Sequence, residues 1–189
     1  EIPPVYGEMT PLEYLRFVAD AKGVPYNRAI RQVQEAMELT HIDDLQNRLI
    51  KNLSKGYRQR VGIAQAMLGN PDIVILDEPT VGLDPKQITE IRELIRRLGE
   101  IKTVIVSSHI LSEIEELCDH VLIISGGRLI ANAPIEELHN RTADRLNTEG
   151  KLKDRSENCT DITDMYKKNY QTSYHIRNRH KRNHALRYR

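Results

Sequence analysis

With 189 residues the chain has room for one ordinary domain, or for one domain and a tail. A composition of 39% hydrophobic and 29% charged residues leans polar. No apolar run approaches the roughly 20 residues of a membrane-crossing helix, and no charged-then-apolar segment opens the chain as a signal peptide would. The near-neutral charge hides a split. Residues 141–189 hold 13 Lys and Arg against 6 Asp and Glu, a net of +7, whereas residues 1–140 hold 15 against 21, a net of −6. So abrupt a change marks a boundary near residue 140. The two cysteines, Cys118 and Cys159, form neither a metal-ligand spacing nor a disulfide framework, which suits a reducing compartment. The chain opens on Glu1 rather than Met and is expected to start inside its gene.

In chain order, Thr10-Pro11-Leu12-Glu13 reads as a helix start, with a Thr cap, Pro in the first turn and Glu closing a capping box. Leu12, Leu15 and Val18 recur at helical spacing until Gly23 and Pro25 end the run. A second helix is expected over Asn27–Leu39 with Ile30, Val33 and Met37 inward, then a short one around Asp44–Ile50. A third is expected from Gly56 to Leu68 with Val61, Ala64 and Leu68 inward.

The texture then changes. Ile73-Val74-Ile75-Leu76 is an unbroken apolar run ending at Asp77-Glu78, as in a parallel strand buried on both faces. An amphipathic helix over Lys86–Leu98 follows, with Ile88, Ile91, Ile95 and Leu98 in one stripe. Thr103–Val106 reads as another buried strand, Ile110–Cys118 as a helix and Val121–Ile124 as a strand. Gly126-Gly127 then turns the chain into a hairpin with Arg128–Ala131, and Pro134 opens a short helix ending near His139. Strand–helix–strand–helix–strand implies an α/β fold, a parallel sheet covered by helices. Cys118 is expected as a packed thiol and His120 as a surface or loop residue.

From Arg141 onward the 49 residues hold only six of the Leu, Ile, Val, Met and Phe set. That is too little apolar surface to offset ~1–2 kcal/mol of backbone entropy per residue, so a disordered or weakly helical extension is expected. Arg177, Arg179, Lys181, Arg182, Arg187 and Arg189 could meet nucleic acid or anionic lipid; a frame-shifted or foreign C-terminus explains the same composition.

Four segments carry chemistry: Leu53–Arg60, Ile73–Glu78, Gly82-Leu83-Asp84-Pro85 and Ser107-Ser108-His109. Ser54 and Gly56 precede a helix, where free N–H groups and a hydroxyl meet the positive dipole end and favour anions. Asp77 at a strand end suits a carboxylate that holds Mg²⁺, and Glu78 beside it can orient or deprotonate a water. His109 closes the next strand, within reach of the same phosphate in a parallel sheet. Each segment also has a plain reading, as a helix cap, a strand end, a turn or a structural histidine. Their fixed order is what speaks against four unrelated caps.

That ordered set resembles the C-terminal part of an ABC-family nucleotide-binding domain, over roughly residues 1–139. It is most similar to bacterial subunits of the sodium-, drug- and gliding-motility-export kind, which often read LSKGYRQR as residues 53–60 do. The resemblance implies a partial P-loop NTPase, with residues 1–70 as a helical signature subdomain, 71–140 as the Walker B half of the core, and 141–189 as the tail. It implies that Ser54, Lys55, Gly56 and Tyr57 form the signature that contacts ATP held by the partner subunit. Asp77 is then the Walker B aspartate serving Mg²⁺, Glu78 the catalytic glutamate, Asp84 the D-loop aspartate at the dimer interface, and His109 the switch histidine. Lys55 and Tyr57 depart from the commoner LSGGQ in a way familiar in this subfamily. Glu1 falls where a Q-loop glutamine would stand.

No G-x-x-x-x-G-K-[ST] occurs in these residues, and no upstream aromatic that would stack on adenine. The missing Walker A segment would supply strands beside 73–77 and 103–107, so those edges are expected to be open. The chain alone is therefore expected neither to bind nor to hydrolyse ATP appreciably. The implied function is the ATPase subunit of an exporter on the cytoplasmic face of the membrane, dimeric head to tail and bound to a transmembrane permease through residues 9–52, without a nucleic-acid partner. Two other readings stand beside it: a soluble ABC ATPase of translation or DNA repair, and a non-catalytic gene remnant.

Overall fold

The first helix is started by its own side chains. The Glu13 carboxylate accepts from the Thr10 backbone N–H at 2.9 Å and from the Thr10 hydroxyl at 3.0 Å, while Thr10 Oγ1 accepts from the Glu13 N–H at 3.3 Å. Two of the four orphan donors of the helix start are thus satisfied reciprocally. Helix α1 spans Pro11–Ala21 and buries Tyr14, Leu15, Val18 and Ala19. The computed structural model describes residues 3–125, 127–137 and 173–177. Glu1 and most of the tail read above lie outside them. The described residues fall into two units, one reaching Val104 and the other running from Ile105 to Arg177.

In the first unit α1 is tied to helix α3 (Lys55–Met67) by polar side chains at the rim of an apolar core. The Tyr14 hydroxyl donates to the Pro4 carbonyl at 2.9 Å and also meets the Gln65 side chain. Lys22 Nζ donates to the Gln65 and Leu68 carbonyls at 2.9 and 3.0 Å, at the end of α3. Partial burial pushes the Lys22 amine below its ordinary pKa. Between these helices runs α2 (Tyr26–Thr40), whose buried stripe is Ala29, Val33, Ala36, Met37 and Thr40. Ile30, expected inward, is turned to solvent; the true stripe starts one residue earlier, on alanines that hydropathy alone does not single out. The core gathers Leu15, Val33, Met37, Ile42, Ile50, Val61 and Leu68.

The helix expected around residues 44–50 is replaced by two tight turns, Asp43–Leu45 and Ile50–Asn52. The cause is a competing hydrogen-bond pattern. Ile50 N–H donates to the Met9 carbonyl at 2.9 Å and Lys51 N–H to the Gly7 carbonyl at 3.0 Å, so neither donor is left for a helical ladder.

Strand β1 (Ile73–Asp77) follows α3, and its burial alternates. Val74 and Leu76 are buried, whereas Ile73 is 54% and Ile75 65% exposed. The expectation of burial on both faces therefore fails on the face that Asp77 shares. Helix α4 (Pro85–Ile101) buries Ile91, Leu94, Ile95 and Leu98 and leads to β2 (Thr103–Ser108). Thr103 N–H donates to the Asp72 carbonyl at 3.0 Å, so β1 and β2 start side by side, joined by α4 as a crossover.

In the second unit the strand order is β2, β5 (Ser173–Arg177), β3 (His120–Ser125) and β4 (Arg128–Pro134). Helix α5 (Leu111–Leu117) leads into β3 (His120–Ser125), which pairs antiparallel with β4 (Arg128–Pro134) as the expected hairpin, with a bulge between Ile123 and Ile124. Cys118 is buried, as read. His120 is not in a loop; it begins β3 and its Nε2 meets Asn132 Oδ1 across the hairpin. Pro134 ends β4 and residues 135–137 turn helical after it. Ser173–Arg177 forms β5, antiparallel to β3 with Tyr174 opposite Leu122 and Ile176 opposite His120. Five residues of a tail expected without order are thus a strand, and β2 borders β5 where an open edge was expected. Tyr and Ile at alternate positions suit that pairing.

Thr10 holds the Glu13 carboxyl below its ordinary range, chiefly through the Thr10 backbone hydrogen bond and then through its hydroxyl. A lowered acid contributes stability that is present above the ordinary carboxylate range and is lost as pH falls through the lowered value. Thr10→Ala is expected to cost about 1 kcal/mol in urea unfolding at neutral pH, with part of that cost vanishing in strong acid.

Candidate functional site

Ser54 is the N-cap of α3, with extended backbone, and its Oγ accepts from the Tyr57 N–H at a long 3.4 Å. The plain cap reading is therefore satisfied, and it leaves the remaining N–H groups of Lys55 and Gly56 at the positive end of a 13-residue helix. Gly56 is buried in the first turn, while Tyr57 is turned out. Arg58 donates to the Leu53 carbonyl at 2.6 Å, which braces the turn before the cap.

Asp77 is the last residue of β1, with its side chain on the exposed face. It borders a cleft of ≈ 260 Å³ that Gln59, Gly62, Ile63 and Ala66 of α3 line from the other side. Among the described residues no three of His, Cys, Asp and Glu gather as a metal cage. A single strand-end carboxylate matches Mg²⁺, which takes one or two protein carboxylates and fills its octahedron with water and phosphate oxygens.

The chain turns sharply after Asp77. Glu78 has φ +44, a left-handed conformation that costs a non-glycine residue roughly 1–2 kcal/mol. The turn is closed by Val81 N–H to the Glu78 carbonyl at 3.2 Å and Leu83 N–H to the Thr80 carbonyl at 3.3 Å. Thr80 is buried, and Gly82, at φ +69, supplies the second left-handed residue. Asp84 caps α4, its Oδ1 accepting from the Gln87 N–H at 2.9 Å, with Pro85 in the first turn. Strain stored at an acidic residue is a pointer to function.

His109 belongs to the second unit. It follows β2 directly, beyond the buried Ser107 and Ser108. Ser108 Oγ donates to Glu113 Oε2 at 3.1 Å and accepts from the Ile110 N–H at 3.1 Å, which fixes the bend that His109 occupies before α5.

Two residues escaped the sequence reading. Arg60 is only 8% exposed; its Nη1 donates to the Thr40 carbonyl at 2.9 Å, its Nη2 to Glu90 Oε2 at 2.7 Å, and its Cζ lies 5.8 Å from the Tyr57 ring centroid. The signal was present, since Gly56, Arg60 and Ala64 fall four apart on one face. Gln87 packs its side chain against Gly56. Arg60→Met should lower stability by about 1–3 kcal/mol through the lost Thr40 and Glu90 hydrogen bonds, read as a shifted denaturation midpoint. An unchanged midpoint would show the guanidinium to be idle.

Comparison with known proteins gives the family. The model of the ABC transporter family matches residues 7–81. The bacitracin transport ATP-binding protein BcrA of Bacillus licheniformis is 43% identical over 143 residues, which is 75% of this chain and 46% of that protein. The ABC transporter ATP-binding protein NatA of Bacillus subtilis is 36% identical over 136 residues, covering 71% of this chain and 55% of NatA. The chain thus spans about half the length of the curated relatives it matches. Among solved structures, cbiO1 from Clostridium perfringens, described as part of the ABC transporter complex cbiONQ, superposes with a TM-score of 0.66 at 26% identity, over 79% of this chain and 60% of that one. On the family model and these relatives, the chain belongs to the ABC transporter ATP-binding family.

Proposed function

We propose that this chain acts in a transporter ATPase and supplies the signature and Walker B portions of its nucleotide sites. The observation that carries the reading is the placement of four motif residues at element ends of one unit. Ser54 caps α3, Asp77 ends β1, Glu78 holds a strained turn and Asp84 caps α4. Ends of this kind are where backbone N–H groups and carboxylates can meet a ligand.

In this reading Ser54, Lys55, Gly56 and Tyr57 meet the γ-phosphate of ATP held by a second ATPase subunit, through backbone N–H groups and the Ser54 hydroxyl. Asp77 holds Mg²⁺, whose charge offsets that of the phosphate oxygens. Glu78 orients the attacking water and draws its proton, the role of the base in phosphoryl transfer to water. His109 contacts the γ-phosphate, and Asp84 contacts the second subunit. Residues 1–140 are the ATPase portion, and the tail after them contributes β5 to the sheet of the second unit. With no G-x-x-x-x-G-K-[ST] in its 189 residues, the chain relies on another segment or chain for the phosphate cradle.

A transmembrane permease is the proposed partner, docked on α1 and α2. Phe17, Tyr26 and Ile30 are exposed there, Tyr26 at 83%, around a cleft of ≈ 330 Å³ that also includes Val24 and Ala29. The proposed location is peripheral, at the cytoplasmic face of the membrane; among the described residues no helix is long and apolar enough to cross a membrane. Transport outward is the proposed direction, as the resemblance of residues 53–60 to the exporter-type LSKGYRQR implies.

Calorimetric titration of Mg-ATP into the 189-residue chain tests the division of labour. No stoichiometric isotherm at micromolar affinity is expected. A one-to-one micromolar isotherm would mean that these residues hold a complete nucleotide site, and the reading would fail.

A further inference from the structure

Two glycines of the first unit are each covered by a side chain from the other's segment. Gly56 is buried in the first turn of α3, and a Cβ built on it would lie 2.7 Å from Cδ and 2.8 Å from Oε1 of Gln87, in the first turn of α4. Gly82, in the turn that precedes α4, has φ +69, and a Cβ there would collide with Nζ of Lys55, in the first turn of α3. Lys55 therefore reaches from α3 over the turn, and Gln87 reaches back from α4 over α3. Each contact needs a bare Cα on the far side. The Gln87 backbone is itself held, its N–H donating to Asp84 Oδ1 at 2.9 Å.

We propose that Lys55 and Gln87 are positioning residues, a two-way clasp that fixes the start of α3, with Ser54 and Gly56, against the turn from Glu78 to Asp84. The inference rests on the reading that these two segments serve nucleotide. Its consequence is that the phosphate-facing end of α3 and the turn bearing Glu78 move as one body. A glycine at position 55, as in the commoner LSGGQ pattern, would carry no side chain to make half of this clasp. The substitution is then functional in this chain rather than merely tolerated. No rearrangement of backbone is required, because Lys55 and Gln87 are already seated on the glycines.

Amide hydrogen exchange of the full 189-residue chain, without nucleotide, tests it. Lys55→Ala should speed exchange of the amides from 80 to 84 by roughly tenfold, by freeing a local opening, and leave the melting temperature in place. Lys55→Arg, long enough to cover the same gap, should keep the original rates, which a nonspecific loss of packing would not predict. The reverse contact is read by a double-mutant cycle. Gly56→Ala should gain more stability in a Gln87→Ala background than in the original chain, since alanine is the better helix former but meets Gln87. Unchanged exchange at 80–84 in Lys55→Ala, or strict additivity of Gly56→Ala and Gln87→Ala, would overturn the clasp. Either result leaves the assignment of ATP contacts standing, because no nucleotide is present and the titration with Mg-ATP reads that separately.

Discussion

One buried guanidinium joins three helices of the first unit. Arg60 stands inside α3, takes the last-turn carbonyl of Thr40 in α2, pairs with Glu90 of α4 and lies near the Tyr57 ring. A charge removed from water is costly unless its donors are placed well, so the three helix positions are coupled through its geometry. Around it, charges cancel locally: Arg97 pairs with Glu93 at 3.3 Å in the same cavity wall, and the two arginines at 96 and 97 hold the Glu93 carboxyl below its usual range. With α3 and α4 fixed in this way, their N-terminal ends come within reach of each other's side chains, and Lys55 and Gln87 close over Gly82 and Gly56.

Much of this was legible because local chemistry decides it. Thr10, Pro11 and Glu13 determine where α1 starts whatever lies around them, and Gly126-Gly127 marks the hairpin of β3 and β4 in the same way. The family was legible for a different reason: the order of the motif segments along the chain is more specific than any one of them. What failed were features decided at a distance. The turns at 43–45 and 50–52 exist because Gly7 and Met9 take the N–H groups that a helix would need. Ile30 faces outward because small alanines let α2 approach its neighbours closely on the adjacent stripe. The exposed face of β1 could not be foreseen from Ile73–Leu76, since an all-apolar run has no alternation to read. The five residues of β5 carry too little hydrophobicity to announce themselves, and only pairing with β3 makes them a strand.

The chemistry gathered in the first unit is one-sided in a way that suits a shared site. It offers helix N-termini, one strand-end carboxylate and one strained glutamate, which in the proposed reading act on a phosphate already held. Catalysis by such groups is chiefly a matter of position. In the proposed reading, the placement of Ser54 and of Glu78 matters more than any change in their intrinsic reactivity.

The most direct test of this account is a mixed-subunit turnover assay. A complete ABC ATPase of the same family, with its own signature serine replaced by arginine, is combined with this chain so that Ser54 is the sole intact signature serine. The account predicts Mg-ATP hydrolysis above that of the altered subunit alone, lost again with Ser54→Arg in this chain. Stable association of the two proteins with no gain in hydrolysis would contradict it.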